Sequence, residues 1–391
     1  MARSIALGHG FSSPFYPSTG PTALVPPLFP YLVATVFRLF GVYTAKSAIV
    51  VLSANSLFSA LTCIPLYFST RHALGIKAAM FTACAWVFYP FAIYFAAARV
   101  WEYALTGLLF TTCFWIAQSL GSQRRIQVWA GFGILYGITA LSNPSVLSLF
   151  PVFLLVAVLD AHRHKEKWLG NTLIAVLALI AILTPWTIRN YRTLHILTPV
   201  RDNFWLECWA GNSGNTFESN NRWVRPPSSP IELQKFQSVG EGPYLAQTHL
   251  LAMNFIHRHP FLFIKNSFHR VLCYWTGYWS FNRAYLQSQP TEIPNMFFTT
   301  AITLFMLCGL LNLWRLDKMA ALPYLAVIAI FPATYYLTHV IPDYRQPIEP
   351  EILALVSASL FSFRKLGRPS TDDDLQDQYD DQNSLAISTL A

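Results

Sequence analysis

Nine long apolar stretches with almost no charge decide what this chain can fold into. They run Ala45–Thr70, Ala78–Ala97, Tyr103–Leu120, Val128–Leu141, Val146–Leu159, Trp168–Ile188, Met296–Trp314, Ala321–Thr338 and Ile348–Phe363. A bilayer core about 30 Å thick takes roughly 20 apolar residues of helix to cross, and most of these stretches meet or approach that length. Of the 391 residues, 54% are hydrophobic and 12% charged, against about 25% charged in soluble domains. Too few charges remain to clothe a water-exposed surface. The expected fold is an all-α polytopic membrane protein with about nine transmembrane helices.

The basic residues orient this bundle. Connections after the first, third, fifth, seventh and ninth stretches hold Arg71, Lys77, Arg124, Arg125, Arg163, Lys165, Lys167, Arg315, Lys318, Arg364, Lys365 and Arg368. Short segments on the other side hold Arg3, Arg38, Arg99 and Arg345, with Lys46 at a helix mouth. Cytoplasmic loops concentrate Lys and Arg, so the first set is cytoplasmic and the long segment 189–295 lies outside. The formal charge of +8 thus maps to one membrane face and does not imply nucleic acid. Pro260–Phe281 is apolar and aromatic but contains Lys265, His269 and Arg270. It and Leu28–Phe40 read as interfacial helices. Val128–Leu141 and Val146–Leu159 are short, which sinks the intervening Ser142-Asn143-Pro144 turn below the outer surface, facing protein or a wet cavity.

The expected organisation is an extracytoplasmic loop with an interfacial helix (1–44), six transmembrane helices (45–188), the extracytoplasmic segment (189–295), three transmembrane helices (296–366) and a disordered acidic cytoplasmic tail (367–391). Six Asp fall between Asp372 and Asp381 in that tail. The opening MARSIALGHGFSSPF has no apolar core of the kind a signal peptide needs, so export of residues 1–44 is most simply explained by an upstream helix outside this sequence. The six Cys are scattered, which excludes a disulfide framework and CxxC chemistry; at most Cys208 and Cys273 can pair. No nucleotide-binding glycine loop, HExxH or EF-hand loop is present, so no cofactor is evident, and a divalent metal stays open.

Ionisable residues at membrane depth are costly and are therefore functional candidates. Arg99 and Glu102 share a short outer turn, where they form a boundary ion pair or, alternatively, hold an anionic headgroup and accept a sugar-hydroxyl proton. Asp343-Tyr344-Arg345-Gln346-Pro347-Ile348-Glu349-Pro350-Glu351 enters the last helix from outside. Arg345 and Tyr344 suit a phosphate leaving group, while Glu349 and Glu351 also complement a helix N-terminus. Residues 201–212 mix aromatics, including Trp205 and Trp209, with short polar groups that can stack on sugar rings; loop aromatics also serve as interface anchors. His9 and Asn143 are further sugar or acceptor contacts, the former equally readable as a solvated loop residue.

GHGFSSPF at 8–15, GPTALVPPLFPY at 20–31, Trp101-Glu102, Ser142-Asn143-Pro144, RDNF at 201–204 and YRQPIEP at 344–350 together resemble bacterial members of glycosyltransferase family 39. This family of GT-C enzymes is similar to dolichyl-phosphate-mannose-protein mannosyltransferases and aminoarabinose transferases. The resemblance implies a multi-pass enzyme of the bacterial inner membrane. It would move a sugar from a polyprenyl phosphate donor to an extracytoplasmic lipid, glycan or protein, with Arg345, Tyr344 and Arg99 at the donor phosphate. Asn143, Asp343, Glu349, Trp205, Trp209 and His9 would then meet sugar or acceptor. Family members carry their catalytic acid in the first outer loop, before a segment resembling Met1–Phe15. Residues 1–101 contain no Asp or Glu, which leaves Glu102 as the catalytic candidate within the chain and implies either a later start than the true one or a truncated copy. A non-catalytic membrane partner and a transporter or flippase of lipid-linked substrates are the alternatives. The latter should show repeated halves, and none is visible.

Overall fold

The computed structural model describes residues 1–213 and 224–361. The tail at 367–391, expected to be disordered, lies outside the described residues, as does the end of the last apolar stretch. Helices occupy all nine apolar stretches. Among the described residues, the only extended pairing is an isolated bridge between Ser12 and Pro21. Six helices are long and apolar enough to cross a membrane, and a bent pair adds a seventh. The chain is an integral membrane protein.

Local chemistry explains where these helices start, bend and stop. Thr44 caps the first long helix by accepting the Ser47 N–H on its hydroxyl at 3.1 Å, and Asp317 caps the helix Lys318–Ile330 by accepting from Met319 and Ala320. Gly75, at φ 84°, ends the helix Cys63–Leu74 in a conformation only glycine adopts cheaply. The stretch Ala78–Ala97 is two helices, Ile76–Val87 and Pro90–Ala98, bent by 44°. Pro90 supplies no N–H and clashes with the preceding turn, so the ladder breaks there. The eighth stretch divides likewise into Lys318–Ile330 and Ala333–Leu337 around Pro332. The described part of the last one, Glu349–Leu360, has 12 residues; at about 1.5 Å per residue it reaches only about 18 Å.

Close helix contact depends on missing side chains. Lipid tails are as apolar as leucine, so helices in a bilayer associate largely by packing small residues face to face. On the helix Ile126–Ser142, a β-carbon added to Gly133 would sit 2.1 Å from the Ala175 carbonyl oxygen, and one at Gly137 would sit 2.8 Å from Ile182 Cβ. This Gly-xxx-Gly edge seats the helix against Leu169–Leu194. Gly309 does the same for the last helix, with Leu355 O at 1.7 Å from its virtual β-carbon. Elsewhere aromatics fill the core. Phe110, Phe114, Phe153 and Tyr324 interlock, as do Phe132, Phe150 and Tyr136. The buried Tyr136 hydroxyl donates to Val146 O at 2.7 Å, so it carries no unmet polar cost.

The N-terminal segment folds back over one end of the bundle. Arg189, near the end of the helix Leu169–Leu194, donates to the carbonyls of Phe11 at 2.7 Å and Thr22 at 2.6 Å. Its guanidinium also lies 4.9 Å from the Trp186 ring centroid. Glu241 completes the anchor from the segment 189–295, accepting the Ala23 N–H at 2.6 Å. Residues 11–26 are thereby held as a wall at that end of the bundle.

Helix Pro260–Thr276 forms as the sequence indicates, but its polarity is inverted. Asn266, Arg270 and Tyr274, four residues apart, are buried, whereas Phe261, Ile264, Phe268 and Leu272 point outward. The polar stripe serves the protein, and the exposed apolar stripe, with Lys265 beside it, faces away from it. All six cysteines, Cys208 and Cys273 included, are free thiols.

Replacing Gly309 with Ala forces a methyl into the Leu355 backbone. Overpacking of this kind costs about 1–3 kcal/mol, so Gly309→Ala should lower the thermal midpoint in detergent. Gly131→Ala, which meets nothing within 4 Å, should leave it unchanged or raise it slightly. Equal midpoints for the two variants would mean that the close contact does not hold the helices.

Candidate active site

A cavity of about 680 Å³ opens between the N-terminal wall, the segment 189–295 and the adjoining ends of the long helices. Pro14, Phe15, Leu24, Val25 and Pro26 form one side. The turn at Trp101, Glu102 and Tyr103 and the turn at Asn143, Pro144 and Ser145 form the floor. Arg201, Asn203, Glu207 and Arg225 come from the segment 189–295, and Tyr335, His339 and Tyr344 from the segment leading into the last helix.

Glu102 precedes the helix Tyr103–Ser119, directly at its mouth. Burial pushes its carboxyl up to about 7, with the Arg201 charge acting in the opposite sense. Removal from water disfavours the charged form. Arg201 faces the same space. Among the described residues, no carboxylate forms an ion pair with it. Arg225, by contrast, is paired with Glu207.

Glu207 starts a polar chain along the wall. Its Oε1 accepts from Asn203 Nδ2 at 3.2 Å, and its Oε2 lies 3.5 Å from His339 Nδ1. His339 Nε2 is 2.6 Å from the Tyr344 hydroxyl. The Tyr344 ring stacks on Tyr335 with centroids 4.4 Å apart, and the Tyr335 hydroxyl shares a hydrogen bond with Ser145 at 3.0 Å. Asn143 accepts the Ser145 N–H and fixes the turn. Burial raises the Glu207 carboxyl, against the opposing charges of Arg225 and Arg201. The His339 imidazole is held down to about 3, first by burial and then by Arg225, Arg270 and Arg201.

Arg270 sets the spacing of this chain from behind. Its guanidinium donates to Gly211 O at 2.5 Å and Asn212 Oδ1 at 3.0 Å, and to the carbonyls of Tyr336 and Leu337 at 3.3 and 3.4 Å. Those carbonyls end the helices Phe204–Asn212 and Ala333–Leu337, which carry or immediately precede Glu207 and His339. Gly211 lets the two backbones meet, since a β-carbon there would lie 1.8 Å from Thr338 O.

Of the residues singled out from sequence, Glu102, Asn143 and Tyr344 reach the cavity. Arg345 does not. It is 3% exposed, and its Nε pairs with Glu349 Oε1 at 2.8 Å, its NH1 donates to Thr303 at 3.1 Å, and its guanidinium lies over Trp275. Glu349 is occupied by this pair and by the Tyr89 hydroxyl at 2.8 Å. Asp343 stands behind the floor, accepting weakly from Tyr103 at 3.5 Å; burial raises its carboxyl and the Arg99 charge opposes this. Arg99 itself lies 5.6 Å from the Tyr94 ring centroid and is absent from the lining. Trp205 stacks on His249 at 4.1 Å, outside the lining, and Trp209 and the exposed His9 do not line it either.

Glu207, Arg225, His339 and Tyr335 were not singled out from sequence. The segment 201–212 draws attention for its aromatics rather than for Glu207, and His339 follows an apolar stretch as an apparent solvent-side residue. Among the described residues, no group of three His, Cys, Asp or Glu is placed to hold a metal ion.

Residues 24–188 match the family model described as dolichyl-phosphate-mannose-protein mannosyltransferase. No curated protein sequence matches the chain. Among solved structures, the archaeal oligosaccharyltransferase AglB from Archaeoglobus fulgidus, in complex with an inhibitory peptide and a dolichol-phosphate, superposes with a TM-score of 0.54 at 15% identity, over 92% of this chain and 45% of that one. The same enzyme tethered to an acceptor peptide gives 0.53 at 14% identity, over 92% and 44%. ArnT from Cupriavidus metallidurans bound to undecaprenyl phosphate aligns over 96% of this chain and 74% of its own at 13% identity, but with a TM-score of 0.40, too loose to inform the fold. The chain thus spans less than half the length of the oligosaccharyltransferase it matches. Its helical fold is similar to that of this oligosaccharyltransferase over 92% of the chain, and residues 24–188 carry the match to the mannosyltransferase family model.

Proposed function

We propose that the cavity transfers a sugar from a polyprenyl phosphate carrier to an acceptor hydroxyl on a lipid, glycan or protein, outside a bacterial plasma membrane. One observation carries this reading: Glu102 and an Arg201 without an ion-pair partner among the described residues face the same cavity at the outer helix ends. An inverting displacement needs a base on one side of the sugar and a cation at the departing phosphate on the other. Glu102 takes the acceptor O–H proton as that oxygen bonds to the anomeric carbon. The bond from that carbon to the carrier phosphate breaks, and Arg201 receives the phosphate's charge. Arg201 thereby fills the role expected of Arg345, whose charge Glu349 already answers. Asn143, Tyr335 and Tyr344 line the space between and offer hydroxyl and amide partners to the sugar. The dolichol-phosphate in the AglB complex and the lipid-linked mannose in the family description support a donor of this class.

A base must be ionised to accept a proton. With the Glu102 carboxyl raised to about 7, turnover should rise with pH through about 7 and level off above it. Positioned bases contribute about 10²–10⁴-fold; Glu102→Gln should lose that factor and its pH step together. Full turnover in Glu102→Gln would remove Glu102 from the mechanism.

A phosphate contact by Arg201 predicts a second outcome. Charge-assisted hydrogen bonds are worth about 1.5–3 kcal/mol, so Arg201→Ala should weaken binding of undecaprenyl phosphate by roughly 10- to 150-fold, and Arg201→Lys by less. Unchanged affinity in a folded Arg201→Ala protein would return the residue to a structural role.

Orientation follows from the distribution of basic loops. A cysteine at exposed Ser228 should react with an impermeant thiol reagent in intact cells, and one at exposed Ser122 should not. The reverse pattern would invert the topology.

A further inference from the structure

Glu207, His339 and Tyr344 form a carboxylate, imidazole and hydroxyl in series, of which the transfer step above uses only the Tyr344 hydroxyl. We propose that His339, held between Glu207 and Tyr344, commits the Tyr344 proton inward, so that the phenol oxygen faces the cavity only as a hydrogen-bond acceptor and selects a sugar hydroxyl in preference to a phosphate. The inference rests on the sugar-transfer reading for the identity of the ligand, but not for the position of the proton.

The derivation starts from the imidazole. A neutral ring has one N–H donor and one bare nitrogen. Nδ1 lies 3.5 Å from Glu207 Oε2 and makes no hydrogen bond there, so charge rather than a hydrogen bond decides the tautomer. A bare lone pair there would oppose a carboxylate that already carries the Arg225 ion pair. An N–H there is attracted to it. The proton therefore sits on Nδ1, and Nε2 is bare.

The second step fixes the phenol. Nε2 lies 2.6 Å from the Tyr344 oxygen, so that contact needs one proton between the two atoms. With Nε2 bare, the tyrosine supplies it. What remains on the phenol oxygen is lone pairs, on a residue that lines the cavity. A phosphate oxygen would meet them as one acceptor facing another, whereas a substrate hydroxyl donates to them.

The third step asks whether His339 can become a cation and reverse this order. The charged groups around it are Glu207 on the helix Phe204–Asn212, Arg201 and Arg225 from the outer segment, and Arg270 from the helix Pro260–Thr276. Three cations and burial, with 6% of the residue exposed, oppose protonation more than one ion-paired carboxylate favours it. The ring stays neutral and keeps its tautomer. His339 is thus a positioning residue, and Tyr344 the group that meets substrate. A hydroxyl in this position belongs to the donor sugar or to a glycan acceptor.

The test is nitrogen NMR of the full chain in nanodiscs with ¹⁵N-labelled histidine. The His339 signals are those that disappear in His339→Gln; should that variant fail to fold, they are those that move in Tyr344→Phe. The expected spectrum shows a neutral ring protonated on Nδ1 from pH 5.5 to 8, whose bare Nε2 shifts when Tyr344→Phe removes its donor. A ring protonated on Nε2, an imidazolium within that range, or an Nε2 signal indifferent to Tyr344→Phe overturns the proposal. Steady-state kinetics form the second arm. Tyr344→Phe should raise KM for the substrate bearing the hydroxyl, donor or acceptor, by about 5- to 30-fold and spare the other, and the effect of His339→Gln should vanish in the Tyr344→Phe background. Equal rises for both substrates, or additive effects of the two variants, count against it. If the wild-type chain transfers no sugar from a polyprenyl phosphate, the functional reading falls, and the NMR spectrum alone still decides where the proton lies.

Discussion

The guanidinium of Arg270 holds the outer half of this molecule in register. It enters from a helix whose opposite face carries Phe261, Ile264, Phe268 and Leu272, and it meets the carbonyl ends of two other helices. Carbonyls at a helix end have no partner within their own helix and carry partial negative charge. One planar cation with several donors answers two such ends at once, which a lysine's single ammonium does less well. Glu207 lies about one turn before the first of those ends and His339 just past the second, so their separation, and with it the polarity of the cavity wall, follows from this one side chain.

The membrane architecture was legible in the sequence because it depends on composition over windows of twenty residues. Apolar stretches mark helices whatever their neighbours are, and the bend at Pro90 and the break at Pro332 fall where a missing N–H interrupts the ladder. Helix Pro260–Thr276 was legible as a helix, but its facing was not. Charged and aromatic residues in one stretch suggest an interfacial element, and only the packing reveals that the polar stripe looks inward.

The site was legible in part, for a reason seen in Arg345 and Arg201. Both are arginines between apolar stretches, with an aromatic and a carboxylate close by in sequence. Arg345 and Glu349 are four residues apart, the spacing at which helical neighbours pair, and here the pair is sealed among Thr303, Trp275 and Tyr89. Arg201 has no such neighbour along the chain and ends beside the cavity. Local spacing thus marks which charge is consumed, while long-range packing determines which is left to act. Glu207 and His339 are 132 positions apart and could be joined only by the fold.

The inverted helix Pro260–Thr276 makes the surrounding lipid part of the machinery. Phe261 is 86% exposed in the protein alone, and no water-facing surface of that kind is stable without a nonpolar neighbour. A nonpolar cover on this face shelters the helix that seats Arg270 between its carbonyls, and a solvent that covers the face poorly leaves its apolar stripe bare. The geometry around His339 is therefore a property of protein and bilayer together, and lateral pressure in the membrane becomes a term in the shape of the site.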